Sequence, residues 1–280
     1  MQILDGKALS DQIKIELKKE SDKLGLKGIT PGLAVILVGD DAASQTYVKM
    51  KEKACDTAGI YSIIQKMPTT ISQEKILETI SMINNNPNID GVLVQLPLPK
   101  HIDTTKIIEA IDPKKDVDGF HPQNVGALVV GKKGFVSCTP AGIIQLLKRS
   151  NIEIAGKHCV VIGRSNIVGK PMALLMLREN ATVTICHSRT ENLKEICKEA
   201  DILIVAIGKP RYIGADYIKE GAVVIDVGIH RNEENKLCGD VRFEEAEQIA
   251  SYITPVPGGV GPMTIAMLMH NCVDAMKLYS

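Results

Sequence analysis

His158-Cys159-Val160-Val161-Ile162 runs straight into Gly163-Arg164-Ser165-Asn166-Ile167-Val168-Gly169, and Pro171 follows two residues later. The first five residues form an apolar run of strand length, and the chain after Gly169 has a helical pattern with proline near its start. A strand, a glycine turn and a helix N-terminus together make an anion site, because free backbone N–H groups and the positive end of the helix dipole point at the same place. The usual dinucleotide fingerprint is G-x-G-x-x-G. Here Ser165 replaces the middle glycine, and the last glycine falls one position later. On spacing alone, a nucleotide loop and a plain strand–helix turn with a packing glycine read equally well. The flanking sequence favours the nucleotide, which makes Gly163, Arg164, Ser165, Ile167, Val168 and Gly169 the candidate cofactor-binding residues of the loop.

Outward from this loop the rhythm repeats. Thr182–Cys186, Ile202–Ala206 and Ala222–Val227 are further strand-like runs, the first of them separated by helical patterns, which is the pattern of a doubly wound nucleotide-binding domain. A short strand at Tyr252–Thr254 leads through Pro257-Gly258-Gly259 to a final apolar helix from about Thr264 to Leu278. Upstream, Asp5 is a candidate N-cap for a helix carrying Leu9, Ile13 and Leu17. Strand patterns at Leu33–Val38, Tyr61–Met67 and Gly91–Leu96 alternate with helical ones that end near Gly59, cover Ser72–Asn84 and cover Asp103–Ile111. Asp112 to Gly134, rich in Pro, Gly and Asp, reads as a seam, after which Thr139-Pro140 opens a helix as N-cap and first turn. The expected fold class is α/β. Residues 1–138 with 264–280 form an N-terminal substrate domain to which the C-terminal helix returns, and residues 139–263 form a Rossmann-like dinucleotide-binding domain.

Composition narrows the partners. With 280 residues and roughly 100–200 per domain, two domains are expected. There is no Trp and there are three Phe, so the cores are built from aliphatic residues, which suits buried parallel strands. Thirty-three basic residues balance thirty-three acidic ones, so the basic excess of a nucleic-acid binder is missing. No apolar run approaches the roughly 18 residues of a membrane span, and the start MQILDGKALS lacks a secretory pattern. Seven cysteines without a C-x-x-C pair read as reduced thiols of a cytoplasmic protein. The six histidines show no H-x-H or H-x-x-x-H spacing, so no metal site is expected.

Candidate reacting groups lie on both sides of the seam. The second strand of the C-terminal half ends Cys186-His187-Ser188-Arg189-Thr190. An acid about 20 residues after the glycine loop marks NAD, and an arginine suits the 2′-phosphate of NADP. Ser188 and Arg189 occupy that tip, with Arg164 in the loop and Glu191 as a dissenting carboxylate, so NADP is predicted. In the first half, Tyr47 and Lys51 form an i, i+4 pair on one helix face. They offer a flat ring and a titratable amine to one ligand, though a surface lysine is the commoner fate. Gln95 ends a buried strand where open α/β sheets bind ligands. Asp118, in Lys115-Asp116-Val117-Asp118-Gly119, either caps a turn or accepts two N–H groups from a flat heterocycle.

Taken in order, Tyr47-Val48-x-x-Lys51, Val94-Gln95-Leu96-Pro97-Leu98-Pro99, Lys115–Gly119, Cys138-Thr139-Pro140, Gly163–Pro171 and Pro257–Thr264 resemble the bifunctional methylenetetrahydrofolate dehydrogenase/cyclohydrolases. The resemblance implies oxidation of 5,10-methylenetetrahydrofolate by NADP⁺, then hydrolysis of the methenyl cation to 10-formyltetrahydrofolate. It implies tetrahydrofolate derivatives as ligands and a homodimer formed through the cofactor domains. It assigns Lys51 as general base, with burial, a cationic substrate and a hydrogen bond from Gln95 favouring the neutral amine. Tyr47 would stack on the folate, and Asp118 would accept the pterin N3–H and 2-amino group. Pro257, Gly258 and Gly259 would line the folate site, and Ile229 would meet the cofactor through its backbone. The competing readings are a dehydrogenase of another substrate and a non-enzymatic dinucleotide sensor, neither of which needs Lys51 with Gln95 and Asp118.

Overall fold

The computed structural model describes residues 1–279. Its first half runs β1 (Gln2–Ile3), α1 (Gly6–Gly25), β2 (Gly32–Val38), α2 (Ala42–Ala58), β3 (Tyr61–Met67), α3 (Gln73–Asn84), β4 (Gly91–Val94), α4 (Thr104–Glu109), α5 (Pro122–Val129) and α6 (Cys138–Arg149). The second half runs β5 (His158–Ile162), α7 (Gly169–Arg178), β6 (Thr182–Cys186), α8 (Leu193–Cys197), β7 (Ile202–Val205), a 3₁₀ turn at Ala215–Tyr217, β8 (Val223–Asp226), β9 (His230–Arg231), β10 (Leu237–Cys238), α9 (Phe243–Ala246), β11 (Tyr252–Ile253) and α10 (Val260–Tyr279). The chain packs as two units. One is Asp11–Cys138 with the chain from Ile265 onward, and the other is Met1–Ser10 with Thr139–Thr264.

The unit containing Asp11–Cys138 is built on a parallel sheet ordered β3-β2-β4. Every residue of β2 and β4 is buried, as parallel strands covered on both faces are. The stripe Ile76, Ile80 and Ile83 on α3 packs against Ala34, Ile36, Val92 and Val94. Local signals set the helix ends: Asp41 caps α2 by accepting the Ser44 N–H at 2.7 Å, and Gly59 ends it at φ 71. The expected seam contains a helix, α5. Its cap is the His121 ring, whose Nδ1 accepts the Gln123 N–H at 3.1 Å, with Pro122 in the first turn. A histidine cap lies outside the Ser/Thr/Asp/Asn set that marks helix starts, so the element is silent in the sequence.

The other unit carries a six-stranded parallel sheet ordered β1-β11-β8-β7-β5-β6 and a small antiparallel β9–β10 pair. Its core includes Val160, Ile162, Leu203, Val205, Val224 and Ile253. Residues 1–10 are a correction to the domain expected from sequence. Gln2 and Ile3 pair with Tyr252 and Ile253, and Leu4 donates to the Ile253 carbonyl at 2.8 Å. Two residues carry no readable period, so the adjoining amphipathic helix α1 masks the strand. Two helix starts also differ. α6 begins at Cys138, which puts Thr139 inside the first turn. α10 begins at Val260 rather than Thr264, because Pro262 in a first turn forfeits no helical hydrogen bond.

Ile80, with 0% of its surface exposed, is expected to cost about 2–5 kcal/mol on truncation in Ile80→Ala. Glu78→Ala on the exposed face of the same helix should stay within about 0.5 kcal/mol. Paired urea titrations check both.

Candidate active site

The sheet of the first unit reverses direction at β2: the chain goes to β3 on one side and then to β4 on the other. Ligands bind at such reversals, outside the carboxyl ends of the strands. Lys51, on the helix that follows β2, is buried, with 9% of its surface exposed. Its Nζ donates to Gln95 Oε1 at 2.9 Å, just past the end of β4. Gln95 is oriented in turn by its Nε2, which donates to the Leu96 carbonyl at 2.7 Å. Gln95 therefore accepts from Lys51 rather than donating to it, and it fixes one N–H of the amine. Tyr47 lies one turn earlier, half-buried, and burial raises its phenol above the usual 10.0.

Of the two aspartates in Lys115–Gly119, the structure separates a structural one from an available one. Asp116 is buried and accepts from Phe120 N at 3.2 Å, His121 N at 2.8 Å and Asn124 Nδ2 at 2.8 Å. Asp118 lies within electrostatic reach of Lys51 and Asp116, and the Cys138 thiol beside it donates to the Val117 carbonyl at 3.3 Å. Burial pushes its carboxyl up to about 6 from 3.8. The Lys51 charge and the thiol oppose that rise, and Asp116 adds to it. Asn271 of α10 ties the arrangement together: its Nδ2 donates to Val117 O at 2.8 Å and Val136 O at 3.2 Å and lies 3.6 Å from Cys138 Sγ. Cys138 itself is buried, and burial holds its thiol well above 9.0, so it is no thiolate nucleophile.

In the second unit the reversal falls between β5 and β7. Gly163, at φ 136, sits where a Cβ would lie 2.3 Å from the Ala206 carbonyl oxygen, and a Cβ on Gly169 would lie 2.2 Å from the Gly163 oxygen. The loop therefore admits only glycine at both ends. Ser165 Oγ accepts the amides of Val168 and Gly169 at 3.1 and 3.2 Å. Two of the helix-start N–H groups are thus engaged by the hydroxyl that replaces the fingerprint's middle glycine, which leaves the hydroxyl proton to donate outward. Arg164, Ile167, Ser188 and Arg189 are exposed, and Val168 and Thr190 are half-buried. Thr190 Oγ1 accepts the His187 N–H at 2.8 Å, and His187 Nδ1 accepts the Arg189 N–H at 3.1 Å, which fixes the tip of β6. Neither Arg164 nor Arg189 has an ion pair among the described residues. Ile229, 46% exposed, follows β8.

Pro257, Gly258 and Gly259 form the turn between β11 and α10 in this same unit, where the Gly258 carbonyl accepts the Lys7 N–H at 2.8 Å. A cavity of about 310 Å³ lined by Lys157, Asp201, Lys219 and Tyr252 lies where the strands begin. That is the edge opposite the one parallel sheets use for ligands. Among the described residues, no group of three His, Cys, Asp or Glu side chains is placed to hold a metal.

A family model described as tetrahydrofolate dehydrogenase/cyclohydrolase, catalytic domain, matches residues 4–118, and the NAD(P)-binding domain model of the same family matches residues 137–280. The chain belongs to the tetrahydrofolate dehydrogenase/cyclohydrolase family. A bifunctional protein FolD from Agathobacter rectalis is 66% identical over 275 residues, 98% of this chain and 99% of that one. The crystal structure of the bifunctional FolD dehydrogenase/cyclohydrolase of Campylobacter jejuni superposes with a TM-score of 0.97 at 52% identity, covering 99% of each chain. The Trypanosoma brucei dehydrogenase-cyclohydrolase, solved with NADP cofactor and inhibitor, superposes at 0.94 with 39% identity over 98% of this chain and 97% of that one.

Within this family member, the sequence brought forward Lys51, Gln95 and Asp118 but not Asn271 or the supporting role of Asp116. Asn271 sits in an apolar helix 154 residues from the carbonyl it holds, and no local pattern reports a contact of that range. Asp118 binds more protons in the folded than in the unfolded chain between pH 3.8 and about 6. Its contribution to stability therefore falls as pH rises through that window and stays lost above it. Asp118→Asn should melt at a higher temperature than wild type at pH 7.5, with the gap closing towards pH 4. Calorimetric melts across that range check the sign.

Proposed function

We propose that the chain oxidises 5,10-methylenetetrahydrofolate to the 5,10-methenyl cation with NADP⁺ and then hydrolyses the cation to 10-formyltetrahydrofolate. The observation that carries this reading is buried Lys51 held at 2.9 Å by Gln95 at the strand-order reversal of the first unit, within electrostatic reach of Asp118. Hydride acceptance is the chemistry NADP⁺ supplies when bound. The Gly163–Gly169 turn fits its pyrophosphate, since it leads from β5 into the N-terminus of α7, where the positive end of the helix dipole favours an anion. Ser165 and Arg164 supply donors there. The acid-free tip Ser188-Arg189-Thr190 suits a 2′-phosphate. The T. brucei relative solved with NADP points the same way. Ile229 offers backbone groups to the same ligand.

The first step needs chiefly alignment, because the folate nitrogens provide the electron push. Asp118 orients the pterin by accepting its N3–H and 2-amino hydrogens, Tyr47 gives the ring a flat face, and Pro257, Gly258 and Gly259 contribute backbone to the folate. The second step needs a proton moved. Water adds to the methenyl carbon as Lys51 Nζ takes its proton. The bond from that carbon to N5 breaks as Nζ returns a proton to N5, the added hydroxyl gives its remaining proton to solvent as it becomes the carbonyl, and the formyl group remains on N10. The hydrogen bond to Gln95 keeps Nζ on one line through both transfers.

Self-association as a homodimer through the second unit belongs to the same reading. It is supported by the edge strand β6, where Ile185 is 43% exposed, and by Leu177 on α7, which is 60% exposed. A cytoplasmic location fits a chain in which no described helix is long and apolar enough to cross a membrane.

Two variants test the roles. Lys51→Met should bring methenyl decay down to the buffer rate, a loss of about 10²–10⁴-fold, while part of the NADP⁺ reduction survives. Hydrolysis at wild-type speed would remove Lys51 from the step. Arg189→Ala should raise the KM for NADP⁺ about tenfold and leave that for NAD⁺ unchanged. Steady-state assays with each dinucleotide check it.

A further inference from the structure

Behind the crevice between β5 and β7 lies a closed polar set that the mechanism above does not use. Asp226, at the end of β8, and Asp240 are 4% and 0% exposed. Asp226 accepts the amides of Gly228, Asp240 and Val241, each at 2.9 Å. Asp240 Oδ2 accepts the amides of Ile207 at 2.8 Å and Gly208 at 3.0 Å, and its Oδ1 lies 2.8 Å from His230 Nε2. The two carboxylates are seated on glycines. A Cβ on Gly239 would lie 1.8 Å from Asp226 Oδ2, and one on Gly228 would lie 2.5 Å from the Asp240 carboxyl carbon. Burying two acids side by side is costly unless their oxygens are filled with donors, and here five amides and an imidazole fill them. The set yields no apolar packing in return, so its product is geometric.

That geometry bears on the crevice rim. Ile207 and Gly208 follow β7, one of the two strands whose carboxyl ends border the reversal. A planar trans peptide sets its N–H and C=O on opposite sides. With the Ile207 N–H bound to Asp240, the Ala206 carbonyl is turned the other way, to where it packs on Gly163 of the glycine loop. The Gly208 N–H likewise turns the Ile207 carbonyl away from Asp240. Through His230, the same carboxylate ties this rim to the chain leaving β8 immediately after Ile229. We propose that Asp240, oriented by His230, is a positioning residue of the dinucleotide site, holding the chains after β7 and β8 at fixed spacing so that their carbonyls meet the hydroxyl and amide donors of the ligand. The proposal rests on the NADP reading above.

The test uses the full-length protein with NADP⁺ titrated calorimetrically, so the readout is binding and not turnover. Asp240→Asn puts an amide where the amides of Ile207 and Gly208, or the imidazole, need an acceptor, and it should weaken NADP⁺ about tenfold or more. His230→Ala should weaken it about threefold to tenfold, and His230→Gln, whose amide nitrogen reaches about as far as Nε2, should restore it to within about twofold. Methenyl hydrolysis without NADP⁺ should stay within about twofold of wild type in all three. If Asp240→Asn does not fold, the His230 pair decides. NADP⁺ affinity unchanged in Asp240→Asn and His230→Ala would overturn the proposal. So would a His230→Gln protein as weak as His230→Ala, or binding and hydrolysis falling together with melting temperature. Wild type that binds no NADP⁺ would overturn the dinucleotide reading beneath it, whereas wild-type binding with indifferent variants overturns this proposal alone.

Discussion

The chain leaving β5 returns to the sheet on one side as β6, then crosses to the other side of β5 as β7. The segments emerging from the carboxyl ends of β5 and β7 must therefore part, and no connecting helix can roof the gap between them. The smaller sheet does the same at β2, with β3 on one side and β4 on the other. Almost everything else follows from these two reversals. Gly163 and the Ala206 carbonyl meet at one, and Lys51 and Gln95 meet at the other. Side chains that reach an open crevice from rigid strand ends are placed far more closely than loop residues elsewhere.

What surrounds the two crevices differs in electrostatic character. Beside Lys51, the Asp118 carboxyl is kept near 6 by burial, despite the positive charge it faces. Its ionised form is opposed by burial and only partly favoured by the Lys51 charge. Asp226 is also pushed up to about 6 by burial, but backbone amides pull against that rise, and its oxygens are already engaged. Two carboxyls with the same displacement thus do different work. The hydrogen-bond inventory separates them, and the size of the displacement does not.

Short runs rich in apolar and β-branched residues announce strands whether buried or at an edge, and His158–Ile162, Thr182–Cys186 and Tyr61–Met67 are legible to the residue. Pairs one helical turn apart, such as Tyr47 and Lys51, are legible too. Three things are not. A two-residue strand such as Gln2–Ile3 has no period, a helix capped by a histidine ring has no recognised start, and contacts spanning the chain leave no local trace. Asn271 on Val117 and Asp240 on Ile207 are of that last kind. Asp118 came forward through the motif resemblance, and the structure adds that Asp116 is already engaged by Phe120, His121 and Asn124.

Neither unit is a continuous piece of chain: the larger sheet takes its edge from the first few residues, and the first unit takes α10 from the last. α10 supplies Asn271, buried Cys272 and buried Val273 to the layer beneath Val117 and Cys138. On a ribosome, the folate-side unit would therefore wait, incompletely closed, until the stretch beyond Ile265 had been synthesised, even though Lys51, Gln95 and Asp118 had emerged long before. A prematurely stopped product would carry every reacting group and still lack the prop that sets them.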